Sequence, residues 1–118
     1  IEMAEKAIND IAMQKEKVIS SDYIQETVAR YFNIDKKDLI AAKRSNDITY
    51  PRQIAMYLCR TIGQMSLPKI GEDFGKRDHT TVMHAVKKIE KEIKDNPNSN
   101  TKLIVDSVKT ILTEQKNG

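Results

Sequence analysis

The sequence predicts an all-α protein, and three observations carry this prediction. Apolar residues recur at three- and four-residue steps through seven segments, and no segment shows a convincing strand pattern. Aromatic residues make up only 5% of the chain and Trp is absent, so the core must be aliphatic. The 118 residues, with 39% hydrophobic and 31% charged side chains, suit one globular domain.

The first two predicted helices meet at a pair of serines. Residues 3–19 contain no Pro or Gly and carry apolar side chains at a loose helical period, which predicts one helix. Ser20 or Ser21 is expected to cap the second helix, because a serine hydroxyl accepts a hydrogen bond from the first turn. Asn33 is expected to end it. The apolar positions of this second helix are Tyr23, Ile24, Val28, Tyr31 and Phe32.

A longer helix follows a short one in the middle of the chain. Asp35 is expected to cap a helical turn at 36–40, and the polar residues 42–49 predict a loop. Thr49 would cap the next helix, with Pro51 in its first turn, where a missing N–H costs nothing. The buried face of this helix is predicted to hold Ile54, Tyr57, Leu58, Thr61, Ile62 and Met65, with Gln53, Met56 and Arg60 on another face.

The next two helices predict a helix-turn-helix unit. Ser66 can cap a short helix that begins at Leu67, and Gly75 stops it because Gly readily becomes left-handed after a helix end. Asp78 then starts a longer helix. Residues 96–100 break the pattern before a last helix. The core stripe after Asp78 is Val82, Ala85, Val86, Ile89 and Ile93, and that of the last helix is Leu103, Ile104, Val108, Ile111 and Leu112.

The net charge of +3 is unevenly distributed. Residues 1–41 hold six basic and eight acidic side chains, 42–91 hold ten and five, and 92–118 hold four of each. A local basic excess is expected on a protein that binds a polyanion. An ordinary solvated Lys-rich surface has the same composition, so charge alone leaves both interpretations open.

The remaining bulk features predict a cytoplasmic segment of a larger protein. Cys59 is the only cysteine, so an internal disulfide is impossible, and a single packed thiol suits a reducing cytoplasm. No apolar run is long enough to span a membrane, and no signal-peptide pattern is present. The chain begins with Ile1 and not with Met, so we expect it to be part of a longer protein.

No pattern in the sequence predicts a metal site or an enzyme. His79 and His84 are five positions apart and diverge by roughly 140° around a helix, so they do not form a zinc site. Nothing in the sequence pattern places a His beside Cys59, so a catalytic Cys–His dyad is not indicated. The run from Gly71 to Lys76 lacks the Gly-Lys-Ser/Thr ending and the preceding strand of a phosphate loop. We therefore expect no catalytic residue, no metal and no cofactor in this segment.

The start of the helix after Gly75 carries the candidate base-reading residues. The Asp78 carboxylate can cap the helix or accept a hydrogen bond from a cytosine amino group, and the two roles are partly compatible. His79, Thr80 and Thr81 would lie on the first turn, where side chains can meet bases or phosphates in the major groove. A polar helix start that contacts nothing fits the same spacing equally well.

Cations near the preceding helix extend this candidate surface. Lys43 and Arg44 lie in the predicted loop and could enter a minor groove, whose negative potential attracts Arg, although a solvated loop is the simpler interpretation. Arg52, Gln53 and Arg60 could hold phosphates without reading sequence.

Three motifs together resemble a known family. The segments 51–58, which begins Pro-Arg-Gln, 66–71, which begins Ser-Leu-Pro, and 74–82, which contains Arg-Asp-His-Thr-Thr-Val, resemble the signature of the bacterial chromosomal replication initiators of the DnaA family, in their C-terminal DNA-binding domain. The resemblance covers about residues 20–116. It implies that 20–118 are the DNA-binding domain and that 1–19 are a linker helix from an ATPase module that this chain lacks.

The resemblance implies a Trp-repressor-like helix-turn-helix that binds the short, AT-rich DnaA box in double-stranded DNA at the replication origin. It also implies that ATP or ADP with Mg binds the missing module and that the full protein self-assembles through other domains. Lys76 stands where Gly is common, so the turn would rely on Gly75 for a left-handed residue. The implied base contacts are Arg44, Asp78, His79 and Thr80, and the implied backbone and packing contacts are Lys43, Arg52, Gln53, Arg60, Leu67, Pro68, Thr81 and Lys88.

Two other classes of function compete with DNA binding on the sequence alone. A helical protein-interaction module could use the same polar face to hold a protein partner. An enzyme ranks third, because no acid, base and nucleophile converge in the pattern.

Overall fold

The computed structural model describes residues 19–42 and 44–117. These residues form six helices and no strand, which confirms the all-α prediction. The linker helix predicted within 1–19 falls almost entirely outside the described residues, as does Lys43. The helices are α1 (Ser21–Phe32), α2 (Lys36–Ile40), α3 (Asn46–Thr61), α4 (Leu67–Asp73), α5 (His79–Asp95) and α6 (Asn100–Asn117).

Side-chain caps fix the ends of α1 and α4 as the sequence predicts. The Ser20 hydroxyl accepts a hydrogen bond from the Tyr23 amide at 3.1 Å, so Ser20 and not Ser21 is the cap of α1. Asn33 ends this helix in the left-handed conformation with φ 60°. The Ser66 hydroxyl accepts from the Lys69 amide at 3.2 Å at the start of α4. Both serines therefore satisfy amides that have no partner inside their helices.

The start of α3 differs from the prediction of a loop at 42–49. The helix begins at Asn46 after an N-cap at Ser45, and the Ser45 carbonyl accepts the amides of Ile48 and Thr49 at 3.0 and 2.8 Å. Ile48 is only 5% exposed and anchors this turn in the core. The prediction of Thr49 as the cap is therefore wrong, and Pro51 lies inside the helix rather than in its first turn. The sequence did not indicate this helical turn, because a single buried residue among polar neighbours produces no helical period of apolar residues.

The core lies between α3 and α5, with α1, α4 and α6 packed around them. The stripe predicted on α5 is confirmed, since Val82 and Ile89 are fully buried. The buried surface of α3 differs from the predicted face. Met56, which was predicted to lie on another face, is only 1% exposed, whereas Thr61, which was predicted to be buried, is exposed. Because α3 contacts both α1 and α5, its apolar surface covers more of the helix circumference than one stripe.

The turn between α4 and α5 contains two successive left-handed residues. Gly75 has φ 85° and Lys76 has φ 60°, so the expectation that Gly75 alone supplies this conformation is wrong. The turn folds back on α4, with the Arg77 amide donating to the Gly71 carbonyl at 2.8 Å. The neighbouring backbones are so close that a Cβ on Gly71 would lie 2.1 Å from the Arg77 carbonyl oxygen.

Among the helices within residues 19–42 and 44–117, none is both long and apolar enough to cross a bilayer.

Candidate nucleic-acid interface

Asp78 and His79 begin α5 with exposed, chemically available side chains. Asp78 has the extended backbone of an N-cap, but its carboxylate accepts no capping hydrogen bond. The side chains of Asp78 and His79 are 67% and 60% exposed, and the Asp78 Oδ1 lies 3.6 Å from the His79 Nδ1. Because the exposed Asp78 carboxylate caps no amide of α5, it can accept a hydrogen bond from a group outside the chain, which is what base reading requires.

The first turn of α5 also leaves backbone donors unused. The first α-helical hydrogen bond runs from the Val82 amide to the Asp78 carbonyl at 3.2 Å, so the amides of the three preceding residues have no intrahelical acceptor. Thr81 is exposed and Thr80 is half-buried. This helix start presents hydroxyls and free N–H groups together, a combination suited to anionic oxygen atoms and base edges.

The fold brings together two of the residues expected to contact the DNA backbone. The Lys88 ammonium on α5 donates to the Gln53 side-chain oxygen on α3 at 3.2 Å, across 35 positions of sequence. Lys88 is exposed and Gln53 is half-buried. The pair places one cation and one amide on the surface where α3 and α5 meet.

Arg60, Leu67 and Pro68 gather where α3 ends and α4 begins. The Arg60 guanidinium donates to the Met65 carbonyl at 2.8 Å, which folds its side chain toward the start of α4. Leu67 is half-buried against the core and Pro68 is exposed. An exposed Pro beside a surface Arg is compatible with the packing and backbone contacts expected of them.

Arg52 lies in a different environment from the other predicted backbone contacts. It is only 6% exposed, and its Nε donates to the Leu39 carbonyl at 2.8 Å. Its Nη2 donates to the carbonyls of Ala41 at 3.0 Å and Asp38 at 3.3 Å. Burial, and then the positive charge of Arg77, lower the pKa of Arg52. This guanidinium satisfies the last carbonyls of α2, a structural role that the sequence analysis missed, and phosphate contact by Arg52 stays a prediction.

Arg77 is a second arginine whose role the sequence did not indicate. It is half-buried, and its Nη2 donates to the Ala41 carbonyl at 2.8 Å while its Nη1 donates to the Phe74 carbonyl. Burial lowers the pKa of Arg77 as well. Charge and spacing carry no signal for the contact with Ala41, because that carbonyl lies 36 positions away in the sequence and only folding brings it near.

Arg44 is exposed in the short loop between α2 and α3, as expected of a minor-groove arm. That loop begins at Ala41, the residue whose carbonyl both Arg52 and Arg77 bind. Its neighbour Lys43 lies outside the described residues.

Across the described parts of the chain, no group of three or more His, Cys, Asp or Glu side chains could hold a metal ion.

Comparisons with known proteins agree on one family. A family model described as the bacterial dnaA protein helix-turn-helix matches residues 21–89. The chromosomal replication initiator protein DnaA of Thermoanaerobacter sp. (strain X514) is 51% identical over 96 residues, which cover 81% of this chain and 21% of that protein. The chain therefore spans about a fifth of the length of the curated relatives it matches.

Two solved structures share the fold. One, titled as a DNA replication initiation factor, has a TM-score of 0.72 and 31% identity, over 88% of this chain and 31% of its own. The other, AMPPCP-bound DnaA from Aquifex aeolicus, has a TM-score of 0.62 and 30% identity, over 98% of this chain and 31% of its own. The described helices, the three motifs and these matches together show that the chain belongs to the bacterial DnaA helix-turn-helix family.

Proposed function

We propose that this domain binds double-stranded DNA sequence-specifically, at the DnaA boxes of a bacterial replication origin, as part of the initiation of chromosome replication. The observation that carries the proposal is the start of α5, where exposed side chains and unused amides stand together next to basic residues. A helix of this kind enters the major groove with its N-terminal residues against the bases.

The contacts divide by the chemistry of the groups. Asp78, His79 and Thr80 would read base edges in the major groove, and Arg44 would enter the adjacent minor groove. The backbone contacts would supply salt-dependent affinity that carries no sequence information, because each cation releases counterions from the DNA. The proposed backbone and packing contacts are Lys43, Arg52, Gln53, Arg60, Leu67, Pro68, Thr81 and Lys88.

The domain would carry out no catalysis itself. Residues 1–19 would link it to a module that binds ATP or ADP with Mg, and the AMPPCP-bound relative from Aquifex aeolicus supports a nucleotide site elsewhere in the full protein. Self-assembly at the origin would depend on those other domains, and the proposed location is the cytoplasm.

The Thr80→Ala variant tests whether the domain reads sequence. Loss of a base-reading hydroxyl and methyl is expected to weaken binding to a DnaA-box duplex by about 1–3 kcal/mol and to leave binding to a scrambled duplex nearly unchanged. Thr110→Ala is a matched control, because Thr110 is exposed on α6 and its hydroxyl donates only to the Asp106 carbonyl of its own helix. Fluorescence anisotropy with both duplexes measures the effect.

Two outcomes would contradict the proposal in different ways. Equal losses on the box and the scrambled duplex would assign Thr80 to the DNA backbone. A native domain that binds neither duplex would favour the protein-interaction module that the sequence leaves open.

A further inference from the structure

Two guanidinium groups converge on one backbone oxygen at the start of the basic loop, residues 41–45. The Ala41 carbonyl accepts from Arg77 Nη2 at 2.8 Å and from Arg52 Nη2 at 3.0 Å. Ala41 is the C-cap of α2, and Arg44 follows three residues later. The position at which the basic loop leaves α2 is therefore held by two side chains from other elements.

Arg77 connects this loop to the helix-turn-helix. While its Nη2 binds Ala41, its Nη1 donates to the carbonyl of Phe74, the C-cap of α4. Arg77 also directly precedes Asp78, the N-cap of α5. The Arg77 side chain thus links the ends of α2 and α4, and its backbone directly precedes the proposed base-reading residues.

The backbones beneath this bridge are in direct contact. A Cβ on Gly75 would lie 2.3 Å from the Ile40 carbonyl oxygen, so only glycine lets the turn approach the end of α2 this closely. The same Cβ would lie 3.0 Å from Arg77 Nη1. The loop and the turn therefore form one packed junction, in which the Arg77 fork spans two carbonyls.

We propose that Arg77 is a positioning residue that locks the basic loop to the helix-turn-helix turn, so that Arg44 and the start of α5 meet DNA as one rigid surface. This inference rests on the proposed function, because it concerns how two DNA-reading segments are held in register. Both Nη atoms of Arg77 already donate to carbonyls, which leaves the neighbouring exposed Lys76 better placed to meet a phosphate.

A double-mutant cycle tests the coupling between Arg77 and Arg44 on the DnaA-box duplex. In the native background, Arg44→Ala is expected to weaken binding by roughly tenfold to a hundredfold. In an Arg77→Met background the same change is expected to cost less than about threefold. Arg52 still holds Ala41 there, but the loop is no longer tied to the turn between α4 and α5, so Arg44 is not kept in register with α5. Arg77→Lys keeps the charge but cannot span two carbonyls, so it is expected to lose most of the coupling too.

Lys76→Met is the matched control, since it removes the neighbouring cation and leaves the bridge intact. It is expected to weaken binding to the box and the scrambled duplex by similar factors and to preserve the full cost of Arg44→Ala. In the free domain, ¹⁵N relaxation at the Arg44 and Ser45 amides is expected to show increased motion in both Arg77 variants and none in the control.

The proposal is overturned if Arg44→Ala costs the same in the native, Arg77→Met and Arg77→Lys backgrounds, or if Arg77→Lys retains full coupling. Thermal unfolding of each variant tests whether it is folded at the assay temperature. If Arg77→Met is unfolded there, the Arg77→Lys background alone decides the test. A native domain without preference for the box contradicts the proposed function. A preference with additive effects contradicts only the positioning role.

Discussion

Cys59 shows, at the scale of one residue, how strongly the aliphatic core shields a titratable group. Its side chain on α3 is fully buried, and its sulfur donates to the Ser21 hydroxyl at 3.9 Å. Burial raises the pKa of the thiol to about 12, and the Ser21 contact opposes that shift only in part. The thiol therefore stays protonated in the folded protein across the physiological range, as the sequence predicts for a packed apolar residue.

The pH dependence of stability tests this environment. An unfolded thiol ionises near pH 8.5, whereas the folded one ionises at about 12, so the folded state holds one more proton between these values. The free energy of unfolding should therefore fall by about 1.4 kcal/mol per pH unit above about pH 9 from this group alone. Urea unfolding of the native protein and Cys59→Ala from pH 7 to pH 10.5 isolates the difference. Parallel pH profiles for the two proteins would contradict the buried thiol.

The arginines show which residue roles the sequence could predict. Arg44 is exposed, as the sequence predicts, because a polar loop next to a helix start stays at the surface. The burial of Arg52 and the bridge made by Arg77 were missed, because both depend on carbonyls at the end of α2 that only folding brings near. A count of charges gives the same weight to a surface cation and to one that holds backbone together.

At the scale of elements, the junction between α4 and α5 combines two different conformational demands. Gly75 is left-handed with φ 85° and also sits against the Ile40 carbonyl, whereas Lys76 is left-handed with φ 60° and exposed. A side chain at Lys76 costs backbone strain alone. A side chain at Gly75 would add a steric clash to that strain.

Alanine substitutions at these two positions separate strain from clash. Gly75→Ala is expected to lower the free energy of unfolding by more than about 2 kcal/mol, because the left-handed penalty and the 2.3 Å contact act together. Lys76→Ala, the control, is expected to change it by less than about 0.5 kcal/mol, since a Cβ is already present there. Thermal and urea unfolding measure both variants. A Gly75→Ala protein as stable as Lys76→Ala would show that the junction is not tightly packed.

Element boundaries were predictable where a local chemical signal marks them. Ser20, Asn33 and Ser66 begin or end helices through their own side chains or left-handed backbone. The sequence predicts Asn33 and Ser66, and for the first cap it leaves Ser20 and Ser21 open. The start of α3 was not predictable, because its first turn is stabilised by the burial of Ile48 and not by a capping side chain. Tertiary packing there overrides a polar local sequence.

At the scale of the whole molecule, the proposed DNA surface depends on segments that only the fold brings together. The Lys88–Gln53 contact joins α5 to α3, and the Arg77–Ala41 contact joins the turn between α4 and α5 to the basic loop. The hydrophobic pattern predicts the class of fold, which the described helices confirm, and the motifs give the proposed base-reading residues, which stay a prediction. The relative positions of those motifs in space follow from long-range packing, which the spacing of residues along the sequence does not show.

If the domain binds DNA as proposed, the basic excess of residues 42–91 would give it a long-range attraction for DNA that is independent of base sequence. Under the same proposal, specificity would come from short-range contacts made by the start of α5 and by Arg44. The two contributions respond differently to salt, because counterion release weakens binding to every duplex while base contacts distinguish one duplex from another.

The most direct test of sequence-specific DNA binding is an anisotropy titration of the 118-residue chain with a DnaA-box duplex and a scrambled duplex of equal composition, each at two salt concentrations. Affinity for both duplexes should fall as salt rises, and the box should stay preferred by about 10³-fold or more at both concentrations. Equal affinity for the two duplexes at both salt concentrations would contradict the account.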